Sequence, residues 1–197
     1  MHANKGMKTR NLRGYEFGKR FFVKVLGLLR HAKSEWDDMA KRDFDRGVNE
    51  RGCRGAELIG NHIREHGVKW DRLIASPAVR VKQTLESCLP EITPVYDQKL
   101  YLASSDTIME VAQEHAGNAN AVLMSGHNPG LQETILELVS PARENDLFKE
   151  ACVKFPTAAF AVLECKIDSW EDLRPRCATL VHLARPRDLD PELGPDG

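Results

Sequence analysis

Short apolar runs alternate with amphipathic stretches along the middle of this chain, and each change of period marks an element. Residues 21–29 form an apolar run broken only by Lys24 and Gly27 and halted at Arg30-His31, the pattern of a buried strand. A charged loop over residues 37–46 has no apolar period and is placed to roof a site at that strand's end. Asn49 is a plausible cap for the next helix, where Ala56, Ile59, Gly60 and Ile63 share one face and Gly67 closes the last turn. Residues 72–75 read as a strand ending in Ser76-Pro77, followed by a helix over 78–89 that Pro90 and Pro94 terminate. A short strand at 94–96 precedes a helix capped by Ser104-Ser105-Asp106, with Ile108, Val111 and Ala112 as its apolar face. Residues 121–124 form the next strand, a helix over 131–139 follows, and 158–165 and 178–183 are two closing strands. Strands alternating with helices predict an α/β fold with a mainly parallel sheet covered on both faces.

The ends of three predicted strands carry polar residues of related chemistry. The first ends in Arg30 and His31, the second in Ser76 just ahead of Arg80, and the fourth in Ser125-Gly126-His127. Open α/β sheets bind ligands beyond the carboxyl ends of their strands, so these groups should gather along one edge. Two guanidiniums and two imidazoles there suit a phosphoryl group. A neutral imidazole is a nucleophile near pH 7, and arginine holds phosphate oxygens in a fixed fork. A second histidine can donate to the same oxygens in the transition state.

Composition narrows the setting. With 197 residues, 42% hydrophobic and 29% charged, the chain suits one soluble domain. Its net charge of −1 gives no global field for nucleic acid or anionic membrane, so any anion site must be local. No apolar run approaches the roughly 20 residues of a membrane span. The basic residues Lys5, Lys8, Arg10 and Arg13 are not followed by a secretory signal. Cys53, Cys88, Cys152, Cys165 and Cys177 are scattered, which argues for free thiols, no zinc site and a cytoplasmic location. His62 and His66 lie four apart on the first helix, but without a clear third ligand they are read as solvated. Residues 1–20 are expected to be a mobile extension, 21–186 one domain, and 187–197 a frayed tail.

Arg30-His31-Ala32-Lys33-Ser34 resembles the R-H-G signature of the histidine phosphatase superfamily, with Ala32 in place of the usual glycine. Ser76-Pro77-Ala78-Val79-Arg80 and Gly126-His127-Asn128-Pro129-Gly130 are similar to its second and third signatures. Asn49-Glu50-Arg51-Gly52 and Lys154-Phe155-Pro156-Thr157 place the likeness nearest the SixA-type phosphohistidine phosphatases. The resemblance implies a three-layer α/β/α sandwich of the phosphoglycerate mutase-like kind, with no cofactor or metal. It implies His31 as the nucleophile, passing through a phosphohistidine intermediate, and Arg30, Arg80 and His127 as phosphate ligands. Ser34 and, more weakly, Asp37 fall where relatives place polar groups near the substrate; a carboxylate at 37 would repel a phosphate dianion.

Relatives also carry a mid-chain acid. Here Asp97, Tyr101 and Asp106 match no motif and read as turn and cap residues, leaving Asp37 and Asp43 of the roof loop as further candidates. A phosphohistidine can bring its own proton, so the expected activity is a metal-independent phosphatase acting on phosphohistidine in a protein partner. Small-molecule phosphomonoesterase or mutase-like chemistry is the alternative. A phosphate- or phosphoprotein-binding module without turnover is a third reading.

Overall fold

The computed structural model describes residues 23–194. The predicted extension over 1–20, the first two positions of the predicted first strand and residues 195–197 lie outside the described residues. Strand β1 (Val23–Arg30) runs through the sheet and stops at the Arg-His pair, as its pattern predicts. Helix α1 (Glu50–His66) follows the roof loop, which contains a 3-10 turn at Asp43–Asp45. Then come β2 (Arg72–Ala75), α2 (Val79–Cys88), β3 (Val95–Tyr96), α3 (Ser105–Ala116) and β4 (Ala121–Gly126). The chain closes with α4 (Gly130–Leu138), α5 (Asp146–Val153), β5 (Phe160–Lys166), β6 (Ala178–Ala184) and α6 (Pro186–Leu189).

The sheet order is β3-β2-β4-β1-β5-β6, with β3, β2, β4 and β1 mutually parallel and β5 antiparallel to both neighbours. Period two in β1 divides its side chains between two cores. Leu26 and Leu28 join Ile108, Val111, Leu131 and Ile135 of α3 and α4 on one face. Val25 and Leu29 join Ile59, Ile63, Val81 and Leu85 of α1 and α2 on the other. Both faces are therefore dry, and the architecture is the expected three-layer sandwich.

The predicted caps hold. The Asn49 side chain accepts from the Gly52 N–H at 2.8 Å, and Gly67 adopts φ 82° at the end of α1. Gly60 lies on the face turned to α2, where a Cβ would overlap the Cys88 carbonyl, so the two helices meet only because residue 60 has no side chain.

Beyond Pro186 the structure differs from the frayed tail that composition predicts. Pro186 and Pro191 open a short helix and a 3-10 turn at Pro191–Leu193. The Asp188 carboxylate accepts from the Arg185 N–H at 3.0 Å, and Arg54 lies 3.3 Å from Asp190. Arg51 donates to the Leu193 and Gly194 carbonyls. Prolines set the dihedrals and arginines of α1 hold the segment down.

Candidate active site

Register alone brings the polar strand ends together. Arg30 pairs with Gly126 across β1 and β4, and Ala75 pairs with Ser125 across β2 and β4. The ladder continues one step further: His31 donates its N–H to the Gly126 carbonyl at 3.1 Å and Ser76 donates to Ser125 at 3.0 Å. His31, Ser76 and His127 therefore leave the sheet at one level. Arg80, in the first turn of α2, reaches in from the side.

His31 is 9% exposed. Its Nδ1 lies 2.8 Å from the Ala32 carbonyl. A carbonyl only accepts, so Nδ1 carries the proton and the lone pair is on Nε2. Burial, with a smaller contribution from Arg80, lowers the pKa to about 4, against the opposing effect of the Ala32 bond. The ring is thus neutral and oriented across the neutral range. Ala32 is fully buried, and its N–H donates to Thr84 Oγ1 at 2.9 Å.

Arg80 donates to His127 Nδ1 at 3.1 Å, to the Asp43 carbonyl at 2.6 Å and to Asp43 Oδ2 at 2.9 Å. A guanidinium only donates, so His127 accepts at Nδ1 and donates from Nε2 to Ser76 Oγ at 2.9 Å. Burial, then His31 and Arg80, pushes His127 down to about 3. The two imidazole centroids are 5.2 Å apart. Arg30 donates through Nη1 to the Phe155 carbonyl at 2.9 Å, while its Nε is buried with no protein partner. Burial and then Arg80 draw its pKa below the ordinary value. The four predicted phosphate-handling residues form one positively charged cluster.

Ser34 is 6% exposed, and its Oγ is buried with no protein partner, as suits a hydroxyl beside a ligand. Asp37 is exposed in the roof loop and, among the described residues, makes no hydrogen bond or ion pair with the cluster. Asp43 comes in instead. The Tyr101 hydroxyl donates to its Oδ2 at 2.7 Å, and the Tyr101 ring stands edge-on to His127 with centroids 5.4 Å apart. Burial raises the Asp43 pKa, but Tyr101 and Arg80 outweigh it and leave the carboxyl below its ordinary value. Tyr101 sits in a turn, as its reading predicts, and from there its side chain also reaches the cluster. Asp97 is a cap that accepts from Lys99 N, and Asp106 lies in the first turn of α3.

Two other polar groups stand apart from this cluster. Asp97, Glu114 and His115 offer ligand atoms within 4.8 Å of one another, yet Lys99 donates to both Glu114 oxygens at 2.8 Å and His115 pairs with Asp97 at 2.8 Å. The groups satisfy each other. His62 and His66 are half-buried, less solvated than expected. His182 of β6 stacks on His62, with the two Nε2 atoms 2.8 Å apart, and its ring lies tilted against His66 at a centroid distance of 4.5 Å.

Acid should act on stability through the buried imidazoles. Unfolded, His31 and His127 titrate near 6.5; folded, they accept protons only near about 4 and about 3. As pH falls from 6.5 toward 4 the unfolded chain takes up protons first, so stability is expected to drop by on the order of several kcal/mol. Thermal melts between pH 7.5 and 4 read this directly. A Tm that stays flat from 6.5 to 4.5 would refute it.

A model of the histidine phosphatase superfamily, branch 1, matches residues 26–101. An uncharacterized protein of Mycobacterium tuberculosis is 33% identical over 160 residues, covering 81% of this chain and 100% of that one. The structure of a Nakamurella multipartitia protein assigned as the phosphohistidine phosphatase SixA superposes with a TM-score of 0.72 at 29% identity, over 83% of this chain and 96% of that one. A structure of the protein histidine phosphatase SixA complexed with tungstate shares the fold at 21% identity and a TM-score of 0.67, over 84% and 99% of the two chains. His127 falls beyond the matched family segment, and its place rests on the register of β4 beside β1. Motifs, strand-end geometry and these similarities agree: the chain belongs to the histidine phosphatase superfamily and has a SixA-like structure.

Proposed function

We propose that the protein is a phosphatase that takes a phosphoryl group onto His31 from phosphohistidine in a partner protein and releases it to water. The observation that carries this reading is the His31 ring, neutral and fixed by the Ala32 carbonyl beside two guanidiniums.

Arriving phosphoryl oxygens compete with Asp43 for Arg80 and meet the unpartnered Nε of Arg30. The dianion also raises the proton affinity of His127 at Nδ1, because Ser76 already holds Nε2–H. His127 then becomes a donor to the same oxygens. His31 Nε2 attacks phosphorus in line; the new P–N bond forms as the substrate's P–N bond breaks, and the leaving imidazole departs neutral with the proton it already carries. Water next attacks phosphorus, the bond to His31 Nε2 breaks, and inorganic phosphate leaves as H2PO4− with both of the water's protons, while His31 keeps its Nδ1–H. Arg30 and Arg80 hold the equatorial oxygens throughout, the electrostatic role that dominates such transfers.

The leaving group favours phosphohistidine over an ester. An alkoxide needs a proton, and the carboxyl in the cluster, Asp43, is held ionised by Tyr101 and Arg80. A protonated phosphohistidine needs none. A SixA of this fold is complexed with tungstate, a phosphate-shaped oxyanion, which supports an oxyanion as the ligand.

The test is a kinetic panel of phosphohistidine proteins against phosphoglycerates and sugar phosphates. Expected is a kcat/KM on phosphohistidine higher by at least about 10²-fold, the smaller end of what a positioned acid supplies to an ester. Higher values on the esters would establish the phosphomonoesterase reading in its place. Tight phosphate binding without turnover would make this a binding module.

A further inference from the structure

A cavity of about 340 Å³ is lined by Arg30 but not by Arg80; its charged lining is Arg30, Lys33, Arg51, Lys154, Arg185 and Arg187, with no carboxylate among the described lining residues. Such a concentration is local, since the whole chain has a net charge of −1. Four of the cations have protein partners. Arg30 donates to the Phe155 carbonyl, Arg51 to carbonyls of the 3-10 turn, Arg185 to Asp188 and Glu150, and Arg187 lies 3.9 Å from Asp188. Lys33 and Lys154 are exposed, and among the described residues their side chains have neither a hydrogen bond nor an ion pair. Two uncompensated ammonium groups therefore face a cavity whose wall already bears four guanidiniums.

The cavity is joined to the phosphoryl cluster by covalent and hydrogen-bonded links. Arg30 belongs to both. Lys33 stands two residues past His31, and Lys154 directly precedes Phe155, whose carbonyl holds Arg30 at 2.9 Å. Ala158 donates to the His31 carbonyl at 3.0 Å, which fixes the 154–158 turn to the nucleophile's own backbone. The remaining lining is small or apolar, Gly52, Gly55, Pro156, Ala158, Pro186 and Leu193 among it, and leaves room beside the charges. An anion bound here would sit at a fixed position relative to a phosphoryl group on His31.

We propose that this cavity is a second anion subsite, which receives acidic side chains flanking the phosphohistidine of the partner protein. It rests on the phosphohistidine reading above. A second phosphate on a small ester would present the same chemistry, so the test must tell the two sources apart. Electrostatic contacts outside the reacting centre bind ground and transition states alike, and hence act on KM rather than kcat.

The experiment compares wild type with the Lys33→Ala/Lys154→Ala double variant, both substitutions being at exposed positions that should leave the fold intact. Two phosphohistidine peptides are used, one flanked by Asp and Glu and one by Ser and Gly, together with a monophosphate and a bisphosphate ester of one sugar. Wild type is expected to show a KM about tenfold lower for the acidic peptide, with similar kcat for both. The double variant should lose most of that preference, and added salt should erase it in wild type. Turnover of both peptides with equal KM in wild type, or with a preference that survives the double substitution, would overturn the subsite while leaving the phosphohistidine reading intact. If neither peptide is turned over and the bisphosphate ester alone shows the lysine dependence, the protein source and the phosphohistidine reading both fall.

Discussion

Replacing His31 with alanine is expected to reduce turnover by on the order of 10³-fold or more on every substrate the protein accepts. No neighbour can take over the attack. His127 has Nδ1 turned to Arg80 and Nε2 to Ser76, so both its nitrogens are engaged, and no other imidazole shares the strand-end cluster. Wild type, quenched during turnover of ³²P-labelled substrate, should carry an acid-labile, alkali-stable label on His31, and His31→Ala none. The substitution leaves Arg30 and Arg80 in place, so the variant should still bind tungstate or inorganic phosphate, and a ligand-induced rise in Tm separates lost chemistry from lost fold. Retained turnover in His31→Ala, with the fold intact, would remove His31 from the nucleophile's role.

Arg30, His31, Arg80 and His127 were legible in the sequence because each follows an apolar run that identifies itself as a strand, and a parallel sheet brings such ends to one edge. Ser34 was visible only through its motif; its hydroxyl is buried with no protein partner among the described residues. Asp43 and Tyr101 were only loose candidates for the missing acid, because neither sits at a strand end or on a helical face. They meet across 58 positions of sequence, and Asp43 meets Arg80 across 37, contacts that loop closure alone creates. Asp37 had no such anchor in the sequence: a loop without period gives no direction to its side chains. His62 and His66 were paired correctly by the helix period, but their third neighbour, His182, comes from a strand 120 positions after His62. Helix α5 did leave a local signal that went unused. Asn145 caps it, accepting from the Phe148 N–H at 2.9 Å, and Phe148 and Ala151 bury its inner face.

Arg80 and Asp43 should respond to substitution in opposite directions, which makes the pair a stringent check on the site. Arg80 is 4% exposed and directs both terminal nitrogens at Asp43, with one also on His127. Arg80→Ala removes a fork that phosphate oxygens would occupy, and it leaves His127 Nδ1 buried without a donor. The expected result is a fall in kcat/KM of on the order of 10²–10⁴-fold, with weaker binding of phosphate. Arg80→Lys should recover little of this, since one ammonium cannot serve His127 and two phosphoryl oxygens in a single plane. Asp43→Asn removes the anion that competes with substrate for Arg80. The Asp43 side chain is 44% exposed, so its half of the ion pair is screened by water and is worth about 1 kcal/mol, and phosphate affinity should rise roughly fivefold. Because phosphohistidine supplies its own leaving-group proton, kcat on that substrate should stay within about twofold of wild type, on the scale of general-acid effects that exceed 10² where one operates. Isothermal titration with phosphate and steady-state kinetics read both quantities. Weaker phosphate binding in Asp43→Asn would mean that the carboxylate organises Arg80 for the ligand instead of competing with it. A collapse of kcat on phosphohistidine would give Asp43 a part in the transfer itself, beyond competing for Arg80.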